Sequence, residues 1–134
     1  MLTIDPDSDT PLVEQIVAAV RLAIAGGEVR PGDELPSVRQ LANDLGINLN
    51  TVARAYRVLH GQGLLHGARG RNTRVTATVE TPGVAPSLAR TRAARAIGSA
   101  IADAKLAGLS LPETEAAIAA QLRWIWRDAS RRPA

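Results

Sequence analysis

Early in the chain, Val13, Ile16, Val17, Val20 and Ile24 recur at spacings of three and four, the period of a helix with one buried face. Thr10 can cap this helix with Pro11 at its first position, and Gly26-Gly27 stops it. After the turn Val29-Arg-Pro-Gly-Asp, Ser37-Val-Arg-Gln40 has the capping-box pattern, in which a serine oxygen and a glutamine three residues on satisfy each other's end-of-helix amides. The second helix carries Val38, Leu41, Ala42 and Leu45 on one stripe, and Gly46 supplies the left-handed conformation that ends a helix at small cost. Asn48 caps a third helix, whose inner face is Val52, Ala55, Tyr56 and Leu59 and which Gly61 and Gly63 close.

The period then changes. Two strand-like pieces, Leu64 to Gly67 and Thr73 to Thr78, flank a glycine-arginine tip, and Val75, Ala77 and Val79 alternate with Thr76 and Thr78, so a β-hairpin is predicted. A Pro/Gly-rich linker over 80–86 leads to two more helices. The first places Ala94, Ile97, Ile101 and Ala104 on one face with small Gly98, Ala100 and Ala102 nearby. A turn near Gly108 and a second capping box, Ser110 to Glu113, open the last helix, with Ile118, Leu122 and Ile125 in line and Trp124 and Trp126 beside them. The expected divisions are therefore 1–79, 80–86 and 87–134.

Composition narrows the classes. At 134 residues the chain holds one ordinary domain and a small appendage, which leaves no room for a large catalytic domain. Without cysteine, it has neither disulfides nor cysteine-based metal sites, and a reducing compartment suits it. The acidic start MLTIDPDSDT lacks the features of a signal peptide, and no apolar run approaches ~18 residues. A soluble, cytoplasmic protein with no membrane partner is the expectation.

Charge is distributed unevenly. Residues 1–44 carry eight acids against three arginines, whereas 45–79 carry Arg54, Arg57, Arg69, Arg71 and Arg74, two histidines and no acid. A basic sector of this kind fits a polyanion. Subtracting the apolar set from the third helix leaves Asn50, Ala53, Arg54 and Arg57 on its outer side, with Asn48, Leu49 and Thr51 in the first turn. Asn can bond adenine and Arg guanine with two hydrogen bonds each, Leu or a Thr methyl can meet the thymine methyl, and Ala permits close approach. On an isolated helix such residues would more often only cap and solvate. The helix-glycine-helix arrangement and the hairpin, with Arg69, Gly70 and Arg71 at a tip suited to a minor groove, favour double-stranded DNA instead.

The run PLVEQIVAAVRLAIAGGEVRPGDELPSVRQLANDLGINLNTVARAYRVLHGQGLL resembles the DNA-binding domain of the GntR family of bacterial transcription regulators, and the likeness continues through the hairpin to about Thr78. The resemblance implies an α+β, mostly α fold, a winged helix-turn-helix that binds operator DNA as a homodimer, with the third helix in the major groove and the wing tip in the minor groove. Carried over by position, Ser37, Arg39, Asn48, Asn50, Thr51, Arg54, Arg69 and Gly70 fall where family members touch DNA. Arg57, Arg71 and Arg74 complete the candidate DNA-binding set from this chain's own pattern. Several branches place arginine where this chain has Leu49 and Ala53, so their base contacts do not transfer.

The short helical tail resembles the YtrA branch of the family, whose members often regulate nearby transporter genes. Two helices of this size cannot enclose a core of their own, so Ile97, Ile101, Ile118, Leu122, Trp124, Ile125 and Trp126 are the candidate dimerisation residues. The tryptophans could alternatively line a pocket for an apolar effector, though such residues more often fill an interface. Promoter occupancy, and hence repression, is the expected mechanism, with Ser37, Arg39 and Arg74 on phosphates and Asn50 and Arg54 on bases. His60 and His66 have no matching ligand spacing, and Gly61-Gln-Gly63 is not a phosphate loop, so no enzyme, metal or cofactor is expected. The alternative is a winged-helix module for protein contacts, which the acid-free sector disfavours.

Overall fold

The structure is a computed structural model and describes residues 4–67, 73–76 and 87–127. Its elements are α1 (Leu12–Ala25), α2 (Val38–Leu45), α3 (Leu49–Gly61), β1 (Leu65–His66), β2 (Arg74–Val75), α4 (Ser87–Leu106) and α5 (Leu111–Ile125). The described residues before Thr78 belong to one compact unit, and those of Val79–Arg127 to a second.

In the first unit, α1 and α2 both pack on α3. Ile16, Val52, Ala55 and Leu59 are wholly excluded from solvent, and Val20, Leu41, Ala42, Leu35, Leu65 and Val75 close round them. Burying a side chain the size of Val52 or Leu59 contributes about 1.5–3 kcal/mol. The helical members of this core are residues that the helical period selects, while Val13, Val17, Val38 and Leu45 from the same stripes are only half-buried and Leu35 comes from the turn before α2. The start of α1 differs from the prediction: Pro11, not Thr10, holds the cap position, and no side chain caps the helix. Pro11 stays extended (ψ 144°), while Gln15 does the tethering, donating through Nε2 to the Thr10 and Asp5 carbonyls at 2.7 and 2.9 Å.

Ser37 caps α2, its Oγ accepting from the Gln40 amide at 3.1 Å. At the other end Gly46 adopts φ 67°, and the Ile47 amide bonds the Ala42 carbonyl at 3.1 Å, a Schellman closure that turns the chain into α3 within three residues.

The hairpin pairs Leu65 with Val75 and His66 with Arg74. The described strands are two residues each, shorter than the stretches predicted, and residues 68–72 and 77–86 lie outside the described residues. The segment 32–35 lies along the edge of β2 that β1 leaves open. The Gly32 amide bonds the Val75 carbonyl (2.7 Å), the Val75 amide bonds the Asp33 carbonyl (3.0 Å) and the Leu35 amide bonds the Thr73 carbonyl (2.8 Å). Gly32 at φ 89° lets the chain reverse into this position, and Asp33 Oδ2 holds the turn by accepting from the Arg30 amide at 2.8 Å. PGDE is thus a turn that leads directly into sheet pairing, which its Pro, Gly and acidic residues conceal from any alternation test.

In the second unit, α4 and α5 pack on each other through a turn at Gly108 (φ 95°), and Ser110 caps α5 by accepting from the Glu113 amide at 3.2 Å. Neither helix buries a single residue.

One buried polar contact joins α3 to the residue just before the α2 cap. The Tyr56 hydroxyl donates to the Pro36 carbonyl at 2.6 Å, and burial pushes its pKa from 10.0 up to about 12. The neutral phenol is therefore favoured by folding. Its contribution is complete below about pH 10 and is lost as pH rises toward 12. Tyr56→Phe is expected to cost about 1 kcal/mol at neutral pH, and this deficit should shrink in urea unfolding series run from pH 10 upward.

Candidate nucleic-acid interface

The interface is built outward from the buried side of α3. With Val52, Ala55, Tyr56 and Leu59 turned inward, Asn50, Arg54, Arg57 and His60 are exposed, and Thr51 and Ala53 are half-buried at the margins. Asn48 caps the helix, its Oδ1 accepting from the Asn50 amide at 2.7 Å. That bond commits the oxygen and leaves the NH2 group to donate outward. Ser37 is placed similarly: its oxygen lone pair serves the Gln40 amide, so the hydroxyl proton is what it can offer an acceptor. Arg39 is exposed one position into the second helix.

Arg74 occupies a different setting. It is exposed, but its guanidinium donates to the Gly32 carbonyl at 2.8 Å, and its backbone stands opposite Glu34 in an antiparallel bridge. It therefore braces the hairpin root as well as carrying charge. Arg69, Gly70 and Arg71 lie outside the described residues.

Folding also alters the charge pattern. The 45–79 sector has no acid of its own, yet α1 brings Glu14 to a depression that it shares with Pro11, Val13, Arg54, Arg57 and Val58. An acid remote in sequence thus lies beside the basic surface at Arg54 and Arg57. A second cleft, of 510 Å3, lies between α2, α3 and the hairpin root, lined by Val38, Ala53, Tyr56, Arg57, His60, Gly67 and Thr73. His60 sits there one turn beyond Arg57, a position the i, i+3 spacing could have revealed. No His, Asp and Glu cluster fit for a metal occurs among the described residues, and none of their helices is long and apolar enough to cross a membrane.

The candidate dimerisation residues all fall in the second unit. Ile97, Ile101, Ile118 and Leu122 are between 39 and 61% exposed and, with Ile125, line an apolar groove of 330 Å3 between α4 and α5. Neither tryptophan lines it. Trp124 is half-buried under the Arg127 guanidinium, 3.8 Å from its ring centre, and Trp126 is exposed.

Comparison with known proteins gives this arrangement a family. Residues 12–75 match the model for bacterial regulatory proteins of the gntR family. The HTH-type transcriptional repressor YtrA of Bacillus subtilis strain 168 is 38% identical over 111 residues, covering 83% of this chain and 84% of that protein. The chain belongs to the gntR family. Among solved structures, YtrA from Sulfolobus acidocaldarius is 36% identical with a TM-score of 0.56, covering 72% of this gntR-family chain and 97% of that one. A transcriptional antiterminator from Listeria monocytogenes EGD-e superimposes with a TM-score of 0.70 at 27% identity, over 93% of this chain and 92% of its own. The fold is a winged helix-turn-helix followed by a helical tail, and the chain is a gntR-family transcription regulator, similar to YtrA.

The cap of α3 can be tested apart from binding. Asn48→Ala is expected to lower stability by about 1 kcal/mol, whereas Asn48→Asp, which keeps an oxygen acceptor at a helix N-terminus, should melt like the wild type in thermal unfolding.

Proposed function

We propose that this gntR-family regulator is a repressor that binds a palindromic or near-palindromic operator as a homodimer and silences a promoter by occupying it. The observation that carries this reading is the two-sidedness of α3. Its inner face is sealed in the core, while Asn50, Arg54 and Arg57 stand exposed with the geometry to bond base edges in pairs. In this reading Asn50 and Arg54 specify bases, with Asn48, Thr51 and Arg57 beside them. Ser37, Arg39 and Arg74 hold phosphates, and Arg69, Gly70 and Arg71 reach the minor groove. The repressor named in Bacillus subtilis supports the sign of regulation.

Residues 1–79 form the DNA-binding domain in this proposal, 80–86 the linker and 87–134 the dimerisation tail. Support comes from the apolar exposure of α4 and α5, which a second copy would cover. Trp124 and Trp126 then belong to the edge of that interface. The protein acts in the cytoplasm, and transporter genes beside its own are the proposed targets. The protein-contact alternative gains no specific observation.

Selection of bound duplexes from a random pool at fixed salt tests the reading. An inverted repeat with half-sites roughly one helical turn apart is expected, and the absence of any enriched sequence would refute it. On the selected site Arg54→Ala should lose about 1–3 kcal/mol, with little change on random DNA. Equal losses on both would remove Arg54 from base reading. For the tail, the double variant Ile101→Asp, Leu122→Asp should sediment as a monomer and bind the selected duplex at least about tenfold more weakly, since charge in an apolar interface opposes association.

A further inference from the structure

We infer that Leu49 reads the 5-methyl group of a thymine, fixing one T·A position in each half-site; this rests on the DNA reading above. Leu49 is the first residue of α3 and is 43% exposed. Its apolar sequence neighbours behave differently: Leu45 and Ile47 pack against the core, and Leu49 is absent from that set. An aliphatic side chain left in water at a helix tip forgoes its burial energy unless something outside the domain covers it.

The surroundings indicate what that is. Asn48 and Asn50 flank Leu49 and are exposed, and Ala53, four residues on and on the same side of the helix, is small and half-buried. The other exposed aliphatic of α3, Val58 at 42%, is nine residues away, about 13 Å along the axis, beside the depression shared with α1. Among the described residues of α3, Leu49 therefore has no exposed large hydrophobic beside it to widen an apolar surface for a protein partner. In the major groove, by contrast, the one apolar group that a base edge presents is the thymine methyl, and it lies among acceptors and donors that asparagine and arginine match. One leucine set between two asparagines, with Arg54 farther along the same helix, is the chemical complement of that pattern. Ala53 adds room for the helix to approach the methyl. The cap at Asn48 pins the backbone on which Leu49 is mounted, so its position relative to Asn50 is set before binding.

The test uses the full chain and the duplex enriched from the random pool, resynthesised with each thymine replaced singly by deoxyuridine, which removes only the methyl. For the wild type, one thymine per half-site should show about a fourfold loss of affinity on this replacement. Leu49→Ala should bind the thymine and uracil duplexes equally, while Leu49→Met, which keeps an apolar side chain of similar reach, should retain the preference. Circular dichroism of both variants should superimpose on the wild type. A uracil penalty of equal size in wild type and Leu49→Ala, or no thymine with a penalty, would overturn the role of Leu49 and leave operator binding standing. A pool without any enriched sequence would overturn operator reading itself, and Leu49 with it.

Discussion

Val52, Ala55 and Leu59 have no exposure to solvent, and α1 and α2 both close against the helix that carries them. That helix therefore cannot roll about its axis. A shift of one residue turns a helix by about 100°, which would bring this aliphatic strip into water and carry Arg54 or Arg57 onto a buried position. The outward side chains thus acquire their direction from the inward ones. The glycine closure at 46 and the Asn48 cap complete the arrangement by fixing where α3 begins.

Much of this was legible along the chain, for reasons that differ by element. The inner faces of α1, α2 and α3 are written in a period that side-chain burial imposes directly, and Gly46 and Asn48 have local conformational roles that need no tertiary partner. What escaped was non-local. The pairing of residues 32–35 with β2 depends on a contact across about forty positions, inside a stretch whose composition signals only a turn. The cap of α1 passed from Thr10 to Pro11 because Gln15 reaches back over the first turn, a side-chain choice that spacing does not reveal.

The same limit applies to charge. Residues 45–79 contain no acid, but proximity in the fold places Glu14 in the same depression as Arg54 and Arg57. The surface seen by a polyanion is consequently less uniform than the linear count. In the tail, periodicity located the apolar faces of α4 and α5, and the structure adds that no side chain there is buried. Trp124, set under Arg127, is partly covered by a residue just past the end of its own helix.

The strip of backbone at 32–35 has a mechanical consequence. It is hydrogen-bonded to β2, and it runs directly into Pro36, which Tyr56 grips, and then into the cap of α2. Hairpin root, second helix and third helix are therefore tied through a few consecutive residues. Most surface connections absorb an extra residue readily. One added here would slip the pairing by a single position and exchange the two faces of the edge, turning Leu35 out of the core. The length of this connector is thus a gauge that sets wing and helix to one another.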